Sequence, residues 1–399
     1  MNSSSIKYVI WTLAFSSLLL VCFGRYTTAP GIVKVICGVS LWLCVFMFPY
    51  KYIKHNDFGR IANITLRFIF ILTVVAVIRS VFDDSGVVIG NKWMSLFGNP
   101  DCAFMLLTPC FAFLGTDEKS LSEMKKILFL YLVLGSLLIL ADRYVTHGVL
   151  WISVAFFPYV NKKYKFLIFI SLFVAIYRSF YDDETSRTTI IVLAFSLASY
   201  LLAYVYKGKT LLFIFCATTI ILPTIYVCFT LTNDDYSIFN VILSLVLEKT
   251  GDATLATDTR TFLFWEMATD LTNNDAWILG KGAYSHYFSH YFLKSEGDHF
   301  NRINCEVTLL QFLLRSGVIY VITYYSLLIY IIHKSLTKSR NRFLLSVAVM
   351  ASGWFFVSCM SSVNGCDFKH LGFFLLLGCC LSPFWLEKSD DEIKEIMES

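Results

Sequence analysis

The sequence predicts an all-α, polytopic transmembrane helical bundle of about a dozen spans, with one large, partly helical polar loop late in the chain. Three observations carry that prediction. The chain is 57% hydrophobic and 17% aromatic with a mean hydropathy of +0.64, too apolar for a soluble globular protein of 399 residues. Its charged residues, only 16% of the total, cluster between the apolar runs. The runs themselves are long and uniformly apolar, without the ten-residue alternation of barrel strands.

In chain order the runs lie at 7–24, 31–50, 65–82, 102–115, 125–141, 148–160, 166–180, 188–206, 210–230, 305–332, 343–361 and 370–386. The chain therefore divides into spans over 1–230, a polar loop over 231–302, further spans over 303–386 and a tail over 387–399. The first run reads as a span rather than a cleavable signal peptide, since no small-x-small site follows it and Arg25 stands just after it. The acidic tail reads as a short helix or a disordered end.

Lysine and arginine orient the bundle. With the N-terminus in the cytoplasm, the inside loops hold Lys51, Lys54 and Arg60; Lys119, Lys125 and Lys126; Lys162, Lys163 and Lys165; Lys207 and Lys209; and Lys334, Lys338, Arg340 and Arg342. The short outside loops hold little beyond Arg25, Lys92 and Arg143. Both termini are then cytoplasmic and the loop 231–302 is external.

Several classes of chemistry fall away. The twelve cysteines lie mostly inside apolar runs with no Cys-x-x-Cys pair, and read as packing residues. His286 and His290 share a helical spacing, with Asp298 and His299 nearby, but lack a metalloprotease motif or a cysteine partner, so no metal is predicted. Gly280-Lys-Gly282 lacks the Walker pattern and reads as a turn. The net charge of +4 fits basic loops beside anionic lipid headgroups and gives no reason to invoke nucleic acid.

The polar loop is acidic. It carries Glu266, Asp270, Asp298 and other carboxylates against only Lys249, Arg260, Lys281, Lys294 and Arg302. An anion held there must be met by individually placed arginines. Arg260 begins an apolar-rich stretch in which Phe262, Trp265, Met267 and Leu271 give an amphipathic helix along the outer interface. Arg178 and Arg187 bracket a tight external turn, and Arg79 stands near the outer end of its run, where snorkelling to the interface explains it equally well. An arginine at mid-membrane depth costs about 2.5–3.5 kcal/mol on insertion scales, so such residues tend to face a site or a partner. Glu306 opens a long apolar helix. Its carboxylate there either answers the helix dipole or, partly desolvated, takes up a proton. Gln311 and Arg315 lie deeper on the same helix, with Arg315 spaced to reach back to Gln311 or to a neighbouring span. The aromatic stretch 284–292 suits a sugar platform or interface anchoring alike.

Taken in order, Arg260 with Trp265, then Gly280 and Gly282, then Glu306 with Gly317, form a pattern that resembles the O-antigen polymerase and O-antigen ligase superfamily of bacterial envelopes. Ser186-Arg187 at the start of a span and Phe97-Gly-Asn-Pro100 before the fourth run add to the resemblance. Ligases usually carry histidine where this chain has Glu306, which favours a polymerase. The resemblance implies a metal-independent glycosyltransferase of the inner membrane, without a cofactor. It would pass a growing glycan from undecaprenyl diphosphate onto a new lipid-linked repeat unit at the periplasmic face. Donor and acceptor are then undecaprenyl-diphosphate-linked oligosaccharides held in the lipid bilayer, and a chain-length regulator is a candidate protein partner. On that reading Glu306 is the general base and Arg187 and Arg260 meet the diphosphate. Arg178, Arg302, Trp265, Gly280 and Gly282 are candidates for substrate binding. The alternatives are an O-antigen ligase, or a transporter or flippase of lipid-linked oligosaccharide. A flippase needs charged residues along a central pathway, and most runs carry none.

Overall fold

The computed structural model describes residues 7–12, 14–16, 58–82, 92–93, 96, 102–138, 144–181, 186–232, 261–289, 301–362 and 368–398. Almost all of them are helical. In chain order the helices are α1 Arg60–Phe82, α2 Ala103–Leu107, α3 Glu118–Leu138, α4 Tyr144–Phe156, α5 Lys162–Tyr181, α6 Ser186–Tyr200 and α7 Lys209–Thr232. They continue with α8 Thr261–Asn273, α9 Thr308–Lys338, α10 Arg342–Met360, α11 Phe368–Leu381, α12 Pro383–Glu387 and α13 Asp390–Glu398. Four of these are long and apolar enough to cross a membrane: Arg60–Phe82, Lys209–Thr230, Thr308–Lys338 and Arg342–Met360. Each predicted run from 65–82 onward overlaps described helix, although 139–141 lies outside the described residues and 305–307 is not helical. The run 7–24 is helical over 7–12 and 14–16, while 31–50 lies outside the described residues.

Burial separates the helices by role. On α1, Ile61, Ile64, Phe68, Ile71, Val74 and Ile78 are exposed at helical spacing, whereas Leu66, Ile69, Thr73 and Ala76 on the other face are buried. An apolar stripe of that length suits lipid rather than water. The window of α10 that could span is 89% buried, so α10 is the central helix, packed on α9, α7 and α6.

The short run at 102–115 solves its length problem by winding tightly. After α2 the chain continues as a 3-10 helix, Thr108–Thr116, with Pro109 in its first turn. At about 1.5 Å per α residue and 2.0 Å per 3-10 residue, the whole piece reaches about 25 Å. It packs backbone to backbone on α11. A Cβ at Gly378 would lie 1.7 Å from the Ala112 carbonyl oxygen, and one at Gly115 would lie 2.2 Å from that of Leu375. Small residues at such crossings let helices approach without a hydrophobic drive.

The tail, open in sequence between helix and disorder, is the helix α13, and it closes one end of the bundle. Its Ile393 and Met397 are buried. Asp390 Oδ1 accepts from the Arg342 amide at 2.7 Å and from the Tyr159 hydroxyl at 3.2 Å. Trp385 Nε1 donates to the Gly115 carbonyl at 2.6 Å. The opposite end carries α8, the loop after it and the start of α9.

Candidate functional site

The site grows from an interruption in α9. Gly317 has φ 73° and ψ −175°, a conformation essentially confined to glycine, and breaks the helix one third of the way along. An unbroken helix would bond the Val318 amide to the Leu314 carbonyl and the Ile319 amide to that of Arg315. Here the loop after α8 takes both positions. Val318 N donates to the Trp277 carbonyl at 2.8 Å and Ile319 N to that of Ile278 at 3.5 Å. In return the Leu314 carbonyl accepts from Lys281 N at 2.7 Å and the Arg315 carbonyl from Gly282 N at 3.2 Å. The loop is thus threaded into the ladder of a membrane helix, and it satisfies these four freed backbone groups.

The glycines make this approach possible. A Cβ at Gly280 (φ +67°) would lie 2.5 Å from the Arg315 carbonyl carbon. A Cβ at Gly282 (φ +118°) would lie 2.5 Å from Ser80 Oγ. Gly280 and Gly282, candidates for substrate binding in the sequence, therefore position the loop by close backbone contact. From there the chain runs along the end of α1, where Ala283 N donates to the Ala76 carbonyl at 2.9 Å and Tyr284 N to Ser80 Oγ at 2.8 Å. Lys281 ties the turn back to α8 and to the next segment, its Nζ reaching Asp270 Oδ2 at 3.0 Å and the His286 carbonyl at 2.8 Å.

A two-residue antiparallel pair then forms, Tyr287 opposite Arg302 and Phe288 opposite Asn301. It leads directly to Glu306, which precedes the helix it was expected to open. Val307 is extended (φ −124°, ψ 123°) and α9 starts at Thr308. Arg302 Nη1 stands 3.6 Å from Glu306 Oε1, with both side chains partly exposed. Beneath them the turn 303–306 is held by α9. Gln311 Oε1 accepts from the Cys305 amide, and Gln311 Nε2 donates to the Ile303 carbonyl at 3.2 Å. Arg315 Nη2 donates to the same carbonyl at 3.3 Å and to Asn304 Oδ1 at 3.1 Å. Arg315 is completely buried.

The surroundings are polar and, beneath the Arg302–Glu306 pair, buried. Tyr287 is buried, and Cys305, Arg302, Glu266 and Glu306 act electrostatically on its hydroxyl. Burial pushes that hydroxyl well above the ordinary tyrosine range, so it stays a neutral donor. Burial likewise pushes the Cys305 thiol up to about 12, which leaves it without thiolate character. Among the described residues no group of three metal-ligating side chains converges.

The structure brings Arg302, Glu306, Gly280 and Gly282 into one neighbourhood. Trp265 sits on α8, half exposed, while its neighbours Phe264 and Met267 are buried. Arg187 is the second residue of α6 and Arg178 lies near the end of α5. Arg260, His290, Asp298 and the stretch 97–100 lie outside the described residues. Sequence reasoning noted Arg315 but left it out of the site, held Tyr287 only as part of the aromatic stretch 284–292, and gave Lys281 no role of its own. For Arg315 the signal was there, a guanidinium inside an apolar run.

No protein-family model matches the chain, and neither the curated proteins nor the solved structures searched include a match.

Proposed function

We propose that the protein is a surface-polysaccharide polymerase of the bacterial inner membrane. It would span the bilayer about a dozen times, with both termini in the cytoplasm and the loop 231–302 in the periplasm. A growing glycan on undecaprenyl diphosphate is transferred to the non-reducing end of a new lipid-linked repeat unit. The observation that carries this reading is the Arg302–Glu306 pair, 3.6 Å apart, seated where a polar loop is threaded into a broken membrane helix above the buried Arg315. A base and cations at the membrane boundary are what such a transfer needs.

The acceptor hydroxyl attacks the anomeric carbon of the donor sugar while its proton passes to the Glu306 carboxylate. The bond from that carbon to the diphosphate oxygen breaks, and the lipid diphosphate leaves with the electron pair. Guanidinium groups meet its developing charge, with Arg302 beside Glu306 and with Arg187 and Arg260 as further candidates. A single displacement inverts the anomeric centre. The Arg302–Glu306 pair is partly exposed and hence weak, so an incoming acceptor can displace it.

A flippase is the second reading, because broken helices are also a transporter device. The loop that pins this break argues against free rocking. A lipopolysaccharide ladder separates the two, in a host supplied with the matching repeat-unit genes and carrying wild type, Glu306→Gln or Arg260→Ala. A wild-type ladder that collapses to single-repeat bands in correctly inserted variants supports the polymerase. Loss of even the single capped repeat points to ligation or flipping, and unchanged ladders in both variants exclude this site.

A further inference from the structure

Buried side-chain polar atoms without a hydrogen-bond partner gather at the junction between the loop and α9. Arg315 contributes Nε and Nη1, Ser316 and Ser285 their hydroxyls, and Tyr287 its phenol. Each is buried in a segment pinned by backbone bonds to α9 or α1. Arg315 is the weightiest. Its Nη2 is satisfied by the Ile303 carbonyl and Asn304 Oδ1, yet Nε and Nη1, which carry most of the guanidinium's N–H donors, meet no acceptor among the described residues.

A guanidinium cannot shed its charge, and a completely buried, half-satisfied one is among the costliest arrangements a fold can hold. Its two acceptors are uncharged, so among the described residues that charge has no counter-ion. The uncharged groups of the cluster are donors, two serine hydroxyls and a phenol kept protonated by burial, and Glu266, buried and acting on that phenol, is its one buried carboxylate among the described residues. Unmet donors in the same junction as one fixed cation suit an anion with several oxygens. Arg302, a second cation, stands opposite Tyr287 in the strand pair.

We propose that Arg315 is a binding residue for a phosphate or diphosphate group, with Ser316, Ser285 and Tyr287 as further donors to its oxygens. The proposal deepens the polymerase reading, and rests on it only for the identity of the group as the lipid diphosphate that leaves. Arg315 would then hold that diphosphate from within the membrane helix, while Glu306 acts on the acceptor at its mouth.

The test uses the full chain in nanodiscs and phosphate-free buffer. Thermal stability and affinity are read with undecaprenyl diphosphate in the nanodisc, with inorganic pyrophosphate in solution, and with undecaprenol as the control lacking phosphate. Wild type should gain stability from the lipid diphosphate and not from the alcohol. A further gain from pyrophosphate would mean the phosphate group suffices, and none would mean the lipid is needed; either supports the site. Arg315→Met should weaken diphosphate binding about 30-fold or more, the penalty for truncating one partner of a buried charge pair. It should also raise the stability of the unliganded protein, because an uncompensated charge has been removed. Should Arg315→Met fail to fold, Arg315→Lys carries the test: weakened binding supports the site and an unchanged Kd overturns it. A diphosphate gain equal in wild type and Arg315→Met, or no gain in wild type, overturns the proposal. So does a fall in unliganded stability with binding intact, which would mark Arg315 as the partner of a carboxylate elsewhere in the chain. The ladder experiment fails separately. Its loss with the Arg315-dependent shift intact would remove the polymerase and leave the anion site, whereas the reverse would remove only the site.

Discussion

Gly317→Ala should undock the loop while leaving α9 intact. A methyl group at this position would stand 2.3 Å from the Ile278 carbonyl oxygen and 2.5 Å from Leu279 N, both backbone atoms that cannot rotate aside. The conformation at φ 73° and ψ −175° adds about 1–3 kcal/mol of strain for any residue but glycine. The helix has a ready escape. Residue 317 can relax to ordinary helical angles, and Val318 and Ile319 can bond back to Leu314 and Arg315, so α9 exchanges one set of bonds for another. The loop has no such alternative. Of the four bonds it makes to α9, those from Lys281, Gly282 and Val318 are 3.2 Å or shorter. At about 0.5–1.5 kcal/mol net for each, docking weakens by about 1.5–4.5 kcal/mol. That corresponds to about ten-fold to two-thousand-fold in the opening equilibrium. Amide hydrogen exchange reads this opening directly. Lys281 and Gly282 should exchange faster by that factor, while amides of α10 keep their protection. Equal protection of Lys281 and Gly282 in wild type and variant would refute the threaded-loop description.

Three further outcomes follow from the same geometry. Glu306→Gln should change thermal stability by less than about 1 kcal/mol, because the ion pair it removes is partly exposed, and a larger loss in a melting experiment would give Glu306 a structural role. Ser80→Ala should cost about 1–3 kcal/mol in the same assay, since the buried hydroxyl that receives the Tyr284 amide is removed. Cys305, with its thiol pushed up to about 12 by burial, should resist N-ethylmaleimide in the folded protein at pH 8. The thiol stays protonated below that value, so the folded protein should resist labelling at neutral and mildly alkaline pH alike and react once unfolded. Mass spectrometry before and after unfolding checks this.

The membrane class was legible because it depends on local composition. Apolar stretches such as 65–82 and 343–361 announce themselves residue by residue, and the helices Arg60–Phe82 and Arg342–Met360 overlap them closely. The run 102–115 was visible as apolar, but its 3-10 winding depends on Pro109 and on the contact between Ala112 and Gly378, which no local window contains. The site was legible only in outline. Gly280-Lys-Gly282 could be read as a turn, yet the surface against which it turns is set by Gly317 more than thirty residues later. A glycine inside an apolar run does not disclose a positive φ. The start of α9 slipped from Glu306 to Thr308 because Cys305 and Val307 are drawn inward, where the Cys305 amide bonds to Gln311. Arg315 was noticed for its spacing, but its importance comes from complete burial with unmet donors, a property of the assembled bundle.

The most direct measurement of the proposed chemistry is polymerisation by the purified protein in nanodiscs. The substrate would be synthetic undecaprenyl-diphosphate-linked repeat units, with products followed by mass spectrometry. Wild type should yield lipid-linked glycans of two and more repeats, one undecaprenyl diphosphate being released for each new linkage. Glu306→Gln should slow that yield by about a hundred-fold or more, the usual contribution of a general base. Wild-type protein that forms no linkage from matching repeat units, or a Glu306→Gln variant that polymerises at the wild-type rate, would contradict it.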